Sequence, residues 1–67
     1  MSAVYKKIEV IGTSDQSLED AIRKAIARAG ETLHGMSWFE VSEIRGRIEA
    51  QQPVQFQVTV KIGFKVE

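Results

Sequence analysis

The side chains suited to chemistry in this 67-residue chain are of kinds that bind more readily than they react. Trp38 is the one tryptophan, and its indole is a flat, electron-rich surface suited to stacking on an electron-poor heteroaromatic ring. The carboxamide of Gln57 carries a donor and an acceptor side by side, matching the alternating groups along a pyrimidine edge. Arg45, a few residues beyond Trp38, offers a planar fork that can hold a phosphate or pin a carboxylate.

Catalysis would need a nucleophile or a poised acid–base pair, and the sequence offers poor material for either. His34 is the one histidine and falls where a helix is expected to end, so the helix dipole is its ordinary partner. Glu40 and Ser42 share Trp38's face by alternation, but no histidine lies near that serine in sequence. Glu19 and Glu31 read as solvated helix surface. The stretch IGTSDQS lacks the glycines and the lysine of a phosphate-binding loop. A binding protein is the expectation, not an enzyme.

Three strands and one helix are expected to position these residues. VYKKIEVI, residues 4–11, reads as a strand with Val4, Ile8 and Val10 on one face, and Gly12 should break it. Ser14 is expected to cap a helix running from Asp15 to about His34, with Asp15 favourable near the positive end of the dipole. Leu18, Ala21, Ile22, Ala25, Ile26, Ala29, Leu33 and Met36 recur at three- and four-residue steps and form its apolar stripe. Glu19 with Arg23, and Asp20 with Lys24, are acid-first i,i+4 pairs. Gly30 falls inside this span at a cost of about 1 kcal/mol relative to alanine, and Gly35 is the natural stop.

The second strand should run from Trp38 to about Ile48. Its alternation slips where Ile44 falls among polar positions, and nearby Gly46 suggests a bulge or bend. Residues 49–53 end in proline and read as a hairpin turn. From Val54 the period-2 pattern is strongest, with Phe56, Val58, Val60, Ile62, Phe64 and Val66 on one face.

These elements make an α+β chain in which one helix lies across a three-stranded antiparallel sheet. The helix should cover the face bearing Phe39, Val41, Phe56, Val58, Val60 and Ile62. The hairpin of strands 2 and 3 follows from their adjacency, while the crossover decides where strand 1 lies. Read by alternation, Trp38 and Gln57 both point to the opposite, open face. A tryptophan buries roughly 150–250 Å² when covered, so something should cover Trp38. Together with Arg45, the pair suits a ring-plus-phosphate ligand such as a flavin nucleotide. A plainer reading stays open, with Trp38 an ordinary interface anchor and Gln57 a solvated strand residue.

Length sets a further condition, because a single domain this small buries only about 60% of the surface its unfolded chain exposes. No cysteine is available for disulfides, and one histidine cannot build a tetrahedral zinc site. Assembly with further copies is the remaining source of stability. Nine basic and nine acidic residues cancel, which argues against general nucleic-acid binding. No stretch approaches the roughly 20 apolar residues that span a bilayer, so a soluble, cytoplasmic protein is expected.

With VYKKIEVIGTS at the start, WFEVSEIRG in the middle and the ending FQVTVKIGFKVE, the chain resembles a dodecin over residues 4–67. The resemblance implies a β-α-β-β protomer and twelve subunits in a hollow sphere. It implies two flavins, flavin mononucleotide (FMN) or riboflavin, held non-covalently and stacked between symmetry-related tryptophans at a two-fold contact. Trp38 is similar to the stacking tryptophan, Gln57 to the glutamine that hydrogen-bonds the ring edge, and Arg45 to an arginine near the flavin. Gln55, two residues earlier on the same face, ranks below Gln57. The implied function is flavin storage or sequestration with quenched photochemistry. Coenzyme A is a second ligand the resemblance brings in, with Lys6, Arg28 and Lys65 as possible phosphate partners and plain solvated charge as the competing reading of each. The alternative function is a structural oligomer that binds another planar or nucleotide ligand, coenzyme A included.

Overall fold

A computed structural model describes residues 2–66; Met1 and Glu67, the last residue of the FQVTVKIGFKVE ending, lie outside the described residues. The chain runs β1 (Tyr5–Ser14), α1 (Leu18–Ala29), β2 (Met36–Glu49) and β3 (Gln52–Lys65), in the expected β-α-β-β order. All pairings are antiparallel, and the strand order is β1-β3-β2. The most strictly alternating strand thus takes the centre, where both its edges are hydrogen-bonded. The helical crossover returns β1 along the free side of β3, from Tyr5 opposite Lys65 to Ser14 opposite Phe56.

The helix is shorter than its apolar periodicity predicts, and its cap is Ser17, not Ser14. The Ser17 hydroxyl accepts from the Asp20 N–H at 3.0 Å, the N-cap geometry that satisfies an otherwise free donor. Ser14 instead closes β1 as a buried residue. Its hydroxyl accepts from the N–H groups of Gln16 (2.9 Å) and Ser17 (3.3 Å) and donates to Asp20 Oδ2 at 2.6 Å. Asp15 therefore lies outside the helix, and Glu19 and Asp20 supply the acidic first turn. The ion pairs Glu19–Arg23 (2.8 Å) and Asp20–Lys24 (3.0 Å) form as expected.

Regular helix ends at Ala29 with Gly30 as C-cap, although the Leu33 N–H still bonds the Ala29 carbonyl at 3.1 Å. A Cβ at Gly30 would stand 2.9 Å from Cε of Met36, the far end of a flexible side chain that can shift aside. His34 thus lies beyond the helix on the exposed connection, and Arg28 is the basic residue of the last turn. Gly35 has φ +76° and leads straight into β2.

Gly12 does not break β1. It lies within the strand, opposite Val58, and lets the helix sit directly on the sheet. A Cβ at Gly12 would run into the Ala21 carbonyl and come within 2.9 Å of Ala25 Cβ. Ala21, Ala25, Val58, Val60 and Ile62 form the buried core, flanked by Ile8, Val10, Ile22, Ile26 and Ala29.

That core leaves β2 out. The helix packs on β1 and β3, and every residue of β2 is exposed. Phe39 and Val41, expected beneath the helix, are 51% and 39% exposed, and Ile44 and Ile48 are barer still. The Cα extents of 55 × 20 × 13 Å and radius of gyration of 14.0 Å describe a hairpin arm reaching past its own core. A compact chain of this length would have a radius of about 11 Å.

Two residues of β2 stand outside the regular pairing and settle its slipped alternation. Ser37 is extra between the Met36–Phe64 and Trp38–Gly63 pairs, and Ser42 between Val41–Val60 and Glu43–Thr59. The extra residue at Ser42 switches parity, so Ile44 opposes Val58 on the helix side while Glu43 and Arg45 turn outward. Gly46 is not the bulge. It permits a close approach to β3, since a Cβ there would lie 2.8 Å from the Gln55 carbonyl oxygen. The turn is tighter than residues 49–53, with only Ala50 and Gln51 between the paired Glu49 and Gln52. Both take positive φ (50° and 63°), as a two-residue hairpin of right-handed twist requires.

Candidate functional site

The open face of the sheet is built by the outward positions of three strands. From one end these are Tyr5 and Lys65, then Lys7, Gly63 and Trp38, then Glu9, Lys61 and Glu40. At the far end Thr13, Gln57 and Arg45 form one rung. Trp38 is thus turned away from the helix, as alternation predicts, and is 40% exposed.

The indole lies across Gly63. A Cβ at that position would overlap the six-membered ring, so only glycine lets the ring lie this close to the sheet. Tyr5 stands edge-on to it, with ring centroids 5.4 Å apart and planes at 61°. The indole Nε1–H donates to Glu40 Oε1 at 3.2 Å, and Lys7 Nζ donates to the same oxygen at 2.8 Å. The Lys7 ammonium first, and the indole N–H second, hold the Glu40 carboxyl below its ordinary range. The result is a flat aromatic surface with a fixed floor, a wall and a polar tether.

Gln57 and Arg45 are direct cross-strand neighbours on the same face. Gln57 Nε2 donates to Gln55 Oε1 at 2.8 Å, which orients the carboxamide and leaves its carbonyl oxygen and second N–H outward. This pair is not beside Trp38. Gln57 lies six residues along β3 from Gly63, the partner of Trp38. At ~3.3 Å per residue that separation is about 20 Å. Sequence alternation gives the shared face correctly, but the antiparallel register puts the two side chains near opposite ends of it.

Alternation alone did not single out Gly63, Tyr5 or the Lys7–Glu40 pair. The signal was present in part, because Tyr5, Lys7, Glu40 and Gly63 all occupy outward positions. Which of them meet the indole depends on β1 pairing with β3. Ser42, an open-face hydroxyl by simple alternation, is the bulge residue and donates to the Thr59 carbonyl at 3.5 Å.

A family model for dodecins matches residues 4–67 of this sequence. The chain belongs to the dodecin family. It is 49% identical to the dodecin of Thermus thermophilus over 67 residues, covering 100% of this chain and 97% of that one. A Thermus thermophilus crystal structure (tt0972 protein) superposes with a TM-score of 0.93 at 48% identity, covering 98% and 97% of the two chains. The dodecin of Streptomyces coelicolor superposes equally well, TM-score 0.93 at 43% identity, covering 97% and 93%. A more distant dodecin, the calcium dodecin of Mycobacterium tuberculosis, is 28% identical over 96% of this chain and 90% of its own. Among the described residues of this dodecin, no group of three or more His, Cys, Asp or Glu side chains is gathered to hold a metal ion. Nor, among those residues, is any helix long and apolar enough to cross a membrane.

Proposed function

We propose that this chain is a cytoplasmic flavin-binding protein that stores or sequesters FMN or riboflavin in paired sites between subunits of a closed homo-oligomer. The observation that carries this reading is the outward indole of Trp38, laid over Gly63 and half-exposed on a face that its own helix does not cover. Such a surface suits a planar, electron-poor ring, and leaving it wet forfeits the stabilisation that covering it brings. A bound flavin would supply a light-absorbing ring; the chain supplies the surface, the polar edge and the exclusion of water.

The distance between Trp38 and Gln57 supports a site shared by two chains. A tricyclic ring lying on Trp38 falls short of a carboxamide about 20 Å away on the same sheet. If one ring meets both, Trp38 comes from one protomer and Gln57, with Arg45 beside it, from another. A two-fold contact achieves this twice over, because it gives each chain's Trp38 a facing copy and each chain's Gln57 a ring edge. Gln57 would then bond the pyrimidine edge, and Arg45 would hold the phosphate of FMN. The indole in contact with the flavin would quench its emission by electron donation. The bare apolar side of β2 (Phe39, Val41, Ile44, Ile48) supplies the interface that such an assembly needs. A dodecamer is the closed form we propose, in keeping with the family.

The test is a titration of riboflavin and of FMN into the purified, ligand-stripped assembly, followed by flavin emission. Saturable loss of emission, with one flavin per chain at the end point, supports the reading. Unchanged emission at protein excess contradicts it and favours a colourless oligomer that binds another nucleotide, such as coenzyme A.

A further inference from the structure

The indole is held by groups that stacking alone would not require. Gly63 of β3 is the floor, Tyr5 of β1 the wall, and Glu40 of β2 takes the Nε1–H. Glu40 is itself anchored, since Lys7 Nζ reaches across from β1 to the same oxygen at 2.8 Å. One oxygen therefore receives both the charged donor and the indole donor. The arrangement spans all three strands and sits where β1 and β2 face each other across Gly63.

A surface tryptophan has two freely turning side-chain torsions, and ordering them on binding opposes affinity. A hydrogen bond to the ring N–H, with no Cβ beneath the ring, removes that freedom beforehand. We propose that Glu40, held by Lys7, is a positioning residue that locks the Trp38 indole plane against Gly63 and so pre-forms the stacking surface. Its effect on ligand affinity rests on the flavin reading above. The lock itself is a property of the ligand-free protein.

Because Trp38 is the one tryptophan, its emission reports this site without interference. The experiment measures time-resolved anisotropy of Trp38 in the ligand-free assembly and, separately, riboflavin affinity. The variants are Glu40→Leu, which removes the acceptor; Glu40→Gln, which keeps one; and Lys7→Met, which leaves Glu40 in place but unanchored. Wild type and E40Q should show little fast local motion of the indole, E40L a clear fast component, and K7M an intermediate one. Riboflavin affinity should fall about threefold to tenfold in E40L and stay within about twofold in E40Q, as the loss of one hydrogen bond dictates. An indole as immobile in E40L and K7M as in wild type overturns the lock, whatever riboflavin does. Equal mobility in E40Q and E40L also overturns it, because a retained acceptor must rescue. If E40L does not assemble, K7M against wild type decides alone. A wild-type protein that ignores riboflavin while the mobility ranking holds would remove the flavin reading and leave the lock standing.

Discussion

At Trp38 a single side chain decides what the open face can do, and its setting explains why. The ring lies over a position with no Cβ, so its face stays close to the sheet while its other face is free. Gln57 is set differently, with one amide hydrogen committed to Gln55 and the remaining donor and acceptor turned outward. Gln57→Ala should therefore weaken riboflavin binding by about 0.5–1.5 kcal/mol per lost hydrogen bond, read from the emission titration. Gln55→Ala should cost less, because it frees the Gln57 amide without removing it. A larger loss in Q55A than in Q57A would mean that the ring edge meets Gln55. The outward direction of Trp38 and Gln57 was legible in the sequence, since alternation on β2 and β3 fixes it. Their separation was not. It depends on the hairpin register, which the tight Ala50–Gln51 turn, the extra residue Val54 on β3 and the extra residue Ser42 on β2 set together.

Close approach governs the elements. Ala21 and Gly12 bring α1 onto β1, and the short span Gln16–Ser17 between Ser14 and the helix is pinned by two N–H bonds to the Ser14 hydroxyl. Gly12→Ala should destabilise the fold by about 1–3 kcal/mol, seen as a lower urea midpoint, because the Ala21 carbonyl is backbone and cannot step aside. The Ser14 and Lys24 bonds to Asp20 lower its pKa from the ordinary value, the hydroxyl contributing most. A depressed carboxyl adds stability that is present above its unfolded pKa and lost as pH falls through the folded one. Stability should thus drop on acidification below about pH 4. In Ser14→Ala, urea midpoints across that range should fall less steeply. An equal slope in both proteins would contradict the assigned role. The helix was legible as an element through its stripe and its acid-first pairs. Its ends were not, because Ser14 and Ser17 have the same capping chemistry, and only the continuation of β1 through Gly12 decides between them.

The whole molecule is an arm and a core, and the arm's apolar side is bare. Phe39 and Val41 alternate as a buried strand would, which is why the sequence suggests a helix over them, and the extra residue at Ser42 brings Ile44 and Ile48 to the same side. One 12-residue helix cannot cover three strands of which two are 14 residues long, so that side must be covered by another copy or stay in water. If copies assemble over that side, Val41→Lys places a charge on the proposed interface and should convert the large particle into small, poorly folded species by sedimentation. A V41K chain that still sediments as the wild-type particle would move the interface elsewhere. Length and the lack of cysteine make assembly the expectation; the surface we propose for it emerges only once the helix is seen to lie over β1 and β3.

The most direct test of the central claim is the riboflavin dissociation constant of Trp38→Ala, measured on particles whose size matches wild type by sedimentation. An aromatic stack contributes ~1–3 kcal/mol per ring, so affinity should fall by about fivefold to a hundredfold while the particle persists. Unchanged affinity in an intact particle would contradict the account, because the flavin would then lie somewhere other than on this indole.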